Sequence, residues 1–292
     1  MSTLWQNIQY KMLRSGNKLN LLIGINVAVF LIINVSAVIE HLLTSFNQPS
    51  MIAYYANEYF ATTAYLPKLL TRFWTPFTYM FMHEGILHIL FNMLWLYWMG
   101  RIFEEYLGNK RTVGLYIMGG LAGAFFYITC FNIFPAFTHN PALQAVPAVG
   151  ASASVMAIMV ATATLLPNYT ISLLLFGPVK LKWLVGVTLI IDFLLIVGSN
   201  PGGEIAHLGG ALFGFIYIKQ LQKGHDWVTG IGNIFKSRPK LKVVAKNTGK
   251  NNAEYPRQEE IDRILDKISQ SGYDSLNKQE KEILFRASNN ES

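Results

Sequence analysis

Ser152 stands in the stretch VGASASVMA (149–157), a hydroxyl among small residues at the entrance of an apolar run. A serine hydroxyl attacks usefully at neutral pH only when a base takes its proton during the attack, and histidine is the usual base. The tetrahedral intermediate then needs donors aimed at its oxygen. The chain offers candidates for both tasks. His207 heads IAHLGGALFGF, and His88 and Asn92 lie four residues apart in HEGILHILFN, a spacing that puts both on one helix face, with His83 just before them. Ser152 with His207 as its base, and His88, Asn92 and the Ser152 backbone N–H as donors, contains every role that acyl transfer requires.

Each of these residues also has a plainer reading. A lone serine in hydrocarbon is commonly a packing residue, and His88 and Asn92 could simply hydrogen-bond one helix to another. Ser154 competes with Ser152 as nucleophile. Helical positions two apart differ by about 200°, so the two serines cannot face one partner; Ser152 is preferred because it lies nearer the end of its run. Depth in the bilayer is what separates function from packing for these residues.

With 52% hydrophobic and only 14% charged residues, the 292-residue chain departs from average soluble composition. Six apolar runs approach the roughly 20 residues that cross a bilayer core: Leu19–Ile39, Phe77–Met99, Val113–Phe131, Val149–Leu166, Leu181–Gly198 and Ile205–Leu221. The first is too long for a signal-peptide core and reads as a retained span. The net charge of +7 does not indicate nucleic acid, because the cations sit at one set of loops. Lys11, Arg14, Lys18, Arg101, Lys110, Arg111, Lys180, Lys182 and the segment from Lys219 onward are on one side, against Lys68 and Arg72 on the other. By the positive-inside rule both termini are expected to be cytoplasmic. Spans two, four and six then all begin on the outer side, and at 1.5 Å per residue Ser152, His207, His83, His88 and Asn92 fall in the same half of the bilayer. Three separate spans agree on one depth.

The flanking segments read as supports. Residues 1–18 form an amphipathic leader with Trp5, Ile8, Met12 and Leu13 on one face. Residues 40–75 form an aromatic outer loop suited to the interface, and TISLLLFGPVKLKW runs along the opposite interface. Asp192 lies in span five without an evident partner, although an intramembrane carboxylate is a functional candidate by default. His207, Gly210, Ala211 and Gly214 make a narrow face that lets helices approach closely. The domains are therefore the leader at 1–18, a six-span bundle at 19–222, a basic linker at 223–255 and a cytoplasmic two-helix hairpin at 256–292. In the hairpin Gly272 is a helix end and Asn277 with Glu280 a capping pair. The single cysteine, Cys130, makes thiol catalysis and cysteine metal sites poor expectations.

HEGILHILFN with WLYWMGRIFEEYLG, then GASASVMAIM, then AHLGGALFG, resembles the rhomboid intramembrane serine proteases over roughly Pro76–Leu221. The resemblance implies an all-α membrane protein, a six-transmembrane-helix bundle, that cleaves peptide bonds in or near transmembrane segments. It implies Ser152 as nucleophile and His207 as general base, with His88, Asn92 and nearby His83 serving the oxyanion pocket. No cofactor or metal is expected, and the partners are substrate transmembrane segments and membrane lipid. The family usually has glycine directly after the serine, where this chain has Ala153. Two other readings are an inactive relative that binds transmembrane helices and a transporter; no pair of broken helices in corresponding halves favours the latter. Since no Arg- and Ser-rich presequence is evident, the expected setting is a bacterial cytoplasmic membrane.

Overall fold

Hydrocarbon offers the backbone no water, so long apolar runs can satisfy their peptide groups only as helices or closed barrels, and this chain takes the helical solution. The computed structural model describes residues 17–44, 49–173, 177–229 and 258–288. The amphipathic leader and most of the basic linker fall outside the described residues. Helices α1 (Lys18–Thr44), α2 (Met51–Phe60), α3 (Ile86–Ile133), α4 (Ser152–Leu165), α5 (Leu181–Leu195) and α6 (Pro201–Gln222) make up the main unit. Both α1 and α3 are long and apolar enough to cross a membrane. Within the 48 residues of α3, Gly108 adopts φ 79°, a conformation other residues rarely take, and divides the helix into arms over 86–107 and 109–133.

One element starts later than the hydropathy reading has it, and an interfacial segment takes a form that reading leaves open. The helix expected from Phe77 starts at Ile86, because Gly85 is extended (φ −154°, ψ 164°) at its N-cap and the preceding residues form short turns. The interfacial segment before α5 is a two-stranded antiparallel ribbon, β1 (Thr170–Leu173) with β2 (Gly177–Lys180), Thr170 opposite Lys180. Alternating burial along Thr-Ile-Ser-Leu is a period-two pattern, which fits a strand better than a helix.

The core is built around α4. Every residue from Ala153 to Ala163 is buried, and α4 packs chiefly against α3 and α6. Glycines permit this closeness: a β-carbon on Gly210 would lie 2.1 Å from the Ala153 carbonyl oxygen, and one on Gly214 would lie 2.2 Å from that of Ala157. The small-residue face of α6 is thus its α4-packing face. Polar groups in the interior are satisfied locally: Asn26 Nδ2 donates to Tyr116 Oη at 3.0 Å, and the Tyr116 hydroxyl donates to the Met80 carbonyl at 2.8 Å. By contrast α1 and α5 turn large apolar side chains outward, among them Leu31, Ile32, Leu43, Trp183, Ile190 and Phe193. Of the 15 residues of α5 only Leu181, Val185 and Asp192 are buried. Contiguous apolar surface of this kind suits lipid rather than water.

The loop carrying α2 is fastened to the end of the bundle where α4 begins. Thr62 and Ala148 exchange backbone hydrogen bonds of 3.1 and 2.8 Å, and Gly150 N–H donates to the Tyr79 carbonyl at 3.0 Å. Glu58 pairs with Lys68 at 2.6 Å and with Arg72, whose guanidinium also lies 4.5 Å from the Tyr59 ring centre. Hydrogen bonds from Lys68 and Arg72 hold the Glu58 carboxyl below the usual carboxylate range. Because its folded value is depressed, this contribution is complete above the unfolded-state value, near 4.3, and disappears as pH falls through the lower folded value. Glu58→Gln is therefore expected to loosen the loop by about 1 kcal/mol at neutral pH and to remove its acid sensitivity. Limited proteolysis of the loop across an acid titration measures both effects.

The residues divide into two compact units, Met1–Ser237 and Arg238–Ser292. Within the second, α7 (Gln258–Ser271) and α8 (Lys278–Ser288) are joined through a 3₁₀ turn, and Lys267 Nζ lies 2.9 Å from Glu280 Oε1. Asn277 and Glu280 cap reciprocally: Asn277 N–H donates to Glu280 Oε2 and Glu280 N–H to Asn277 Oδ1, both at 2.8 Å.

Candidate active site

Each chemical group is placed by the end of a helix. Ser152 is the first residue of α4, so its backbone N–H belongs to the turn that lacks intrahelical acceptors. Asn200 caps α6, its side-chain oxygen accepting from Gly203 N–H at 3.1 Å, and Pro201 opens the helix. With α6 starting there, His207 falls in its second turn, one turn deeper than the apolar run alone suggests. His88 and Asn92 lie in the first two turns of α3.

These residues converge on one cavity of about 440 Å³, whose lining includes Ser152, His207, His88, Asn92 and Asp192. Gly150, at φ 127°, lies close to both His88 and Ser152: a β-carbon there would sit 2.8 Å from His88 Nε2 and 3.4 Å from Ser152 Oγ. Asn92 Nδ2 donates to the His88 carbonyl at 2.8 Å, which occupies one of its two amide hydrogens and orients the group.

His83 sits apart from that lining. It is buried, neither ring nitrogen has a hydrogen-bond partner among the described residues, and it packs edge-on to His88 with ring centres 5.1 Å apart. Ser154 points the other way from Ser152. It is fully buried, with Oγ 3.9 Å from Met80 Sδ and close to Gly120 of α3.

Asp192 gains a partner that its sequence position did not reveal. Its Oδ2 lies 3.3 Å from His207 Nδ1, and Glu204 Oε2 lies 3.5 Å from the same nitrogen. Glu204 was missed altogether; its signal was its place three residues before His207 on one helix face. The ligand atoms of Asp192, Glu204 and His207 lie within 4.8 Å of one another, so by composition the trio could also take a metal ion.

Comparison with known proteins follows the same region. Residues 70–223 match the Rhomboid domain family model, and residues 250–290 match a family of unknown function, DUF6576. The chain is 35% identical over 164 residues to the mitochondrial RHOMBOID-like protein 12 of Arabidopsis thaliana, covering 52% of this chain and 48% of that protein. It is 27% identical over 187 residues to the mitochondrial Presenilin-associated rhomboid-like protein A of Danio rerio, covering 62% and 43%. It is 34% identical over 59 residues to Rhomboid protease GlpG of Salmonella newport, covering 20% and 21%. The chain thus spans a little under half the length of the first two relatives. Their mitochondrial setting overturns the expectation of a bacterial cytoplasmic membrane with cytoplasmic termini. Span hydropathy and flanking cations record a bilayer and its polarity, and these do not differ by organelle.

Proposed function

The chain belongs to the rhomboid family, and from that premise we propose that it is an intramembrane serine endopeptidase, set in a mitochondrial membrane after its two longer relatives. In this reading α1, the two arms of α3, α4, α5 and α6 are six membrane spans. Helix α4, at 14 residues, is about 21 Å long, shorter than a bilayer core of roughly 30 Å, so its serine-bearing end lies below the membrane surface. The observation that carries the proposal is the single cavity lined by Ser152, His207, His88 and Asn92.

As Ser152 Oγ bonds to the scissile carbonyl carbon, its proton passes to His207 and the carbonyl π pair moves onto oxygen. That oxyanion is met by His88, by the second Asn92 amide hydrogen and by the Ser152 N–H, with His83 backing the His88 ring. The imidazolium returns its proton to the leaving amine as the C–N bond breaks. Water then attacks the acyl-enzyme by the same route and restores Ser152. A substrate helix hides its carbonyls in hydrogen bonds, so segments with Gly, Pro or polar residues near the cut, which unwind more easily, are the favoured substrates.

Incubating the purified chain with a model transmembrane substrate and a fluorophosphonate probe tests the reading. Cleavage with labelling supports it, and a folded wild-type protein that does neither makes the chain a binding-only relative. Asn92→Ala is expected to lower kcat roughly 100-fold in a folded protein, as removal of one oxyanion donor does; steady-state kinetics at saturating substrate measures this.

A further inference from the structure

We propose that Asp192 and Glu204 are positioning residues that hold the Nδ1 edge of His207, Asp192 being the principal one; the inference rests on the protease reading above. The two carboxylates approach one nitrogen from different helices, Asp192 from α5 at 3.3 Å and Glu204 from the preceding turn of α6 at 3.5 Å. Asp192 is 8% exposed, and among the described residues Asp192 Oδ2, Glu204 Oε2 and His207 Nδ1 are buried without a hydrogen bond, their mutual approaches being ion-pair contacts. Helix α5 otherwise faces outward, and its one buried polar side chain is the one that reaches the candidate base. A carboxylate in such surroundings is costly unless a cation or a strong donor meets it. The imidazolium that forms when His207 takes the Ser152 proton is such a cation.

The consequence is a choice of tautomer. Neutral imidazole carries its proton on one nitrogen and a lone pair on the other. Acceptors at Nδ1 keep the proton there, which leaves the Nε2 lone pair to receive the Ser152 hydroxyl proton. Both carboxylates then face the positive charge while Oγ bonds to the substrate carbon. An amide in place of the Asp192 carboxylate could donate to Nδ1, driving the ring proton to Nε2 and disabling the base. Glu204 is farther from Nδ1 and shares its helix with His207, so its share is the smaller.

The full chain in detergent or liposomes, with a model transmembrane substrate, provides the test. Asp192→Asn is expected to lower kcat roughly 100-fold at unchanged KM, and Glu204→Gln only several-fold. A folded Asp192→Asn protein, judged by its thermal melt, with wild-type kcat overturns the proposal. Should that variant not fold, nitrogen NMR of the wild-type histidine rings decides, with the His207 signals assigned by their loss in His207→Ala. A proton on Nδ1 supports the proposal and a proton on Nε2 overturns it. Activity that vanishes in a chelator and returns with zinc also overturns it, the trio then being a metal site. If the wild type neither cleaves nor labels, the protease reading is what fails, and the NMR result still reports the His207 contact separately.

Discussion

Ser152→Ala is expected to abolish both substrate cleavage and fluorophosphonate labelling, a loss of roughly 10⁴-fold or more, whereas Ser154→Ala keeps both within about tenfold. The contrast follows from where the two hydroxyls point. Ser152 lines the cavity beside His88 and His207, and Ser154 is fully buried against Met80 and Gly120 on the far side of the same helix. His207→Ala should lose turnover to a similar extent, because a serine without its base is as inert as a base without its serine. The double variant should be hardly worse than either single one, since groups that act as a unit are strongly non-additive. Cleavage that survives Ser152→Ala, or vanishes in a folded Ser154→Ala, would mean that Ser152 is not the nucleophile.

The residues at the centre of that experiment were legible in the sequence for a physical reason. Polar side chains are expensive in hydrocarbon, so Ser152, His88, Asn92 and His207 stand out against apolar surroundings, and helical phase separates Ser152 from Ser154 without coordinates. What the sequence could not display was tertiary approach. Asp192 was visible as an unexplained carboxylate, but its contact with His207 depends on how α5 leans on α6, and no spacing along the chain encodes that. Local boundaries also escaped. Hydropathy alone runs a helix through His83, yet extended backbone at Gly85 holds back its start to Ile86, leaving His83 behind the His88 ring rather than in the cavity lining. The ribbon at Thr170–Lys180 shows the same limit: a short segment of alternating residues beside a membrane reads equally as amphipathic helix or strand until pairing partners are known.

Gly210→Ala is expected to destabilise the bundle by about 3 kcal/mol and to lower activity with it, measured by thermal melting in detergent alongside kcat. The added methyl would lie 2.1 Å from the Ala153 carbonyl oxygen, a backbone atom that no rotamer change can move aside. Helices α4 and α6 must separate, and these are the helices that carry Ser152 and His207. A Gly210→Ala protein that melts and turns over like wild type would show that α4 and α6 do not depend on this close contact. The same geometry explains how the chain tolerates Ala153 where the family usually has glycine. The Ala153 side chain is 1% exposed and points at α3, where a β-carbon on Gly123 would meet it at 2.6 Å. Gly123 thus supplies the room that the extra methyl occupies, and that methyl lies away from the cavity lining. Gly123→Ala should therefore be destabilising, and adding Ala153→Gly should recover part of the loss. Recovery stays partial because the Ala206 carbonyl oxygen would still lie 2.7 Å from the new β-carbon. A double-mutant cycle on melting isolates that coupling, and strictly additive effects would mean that Ala153 and Gly123 do not share the space assigned to them.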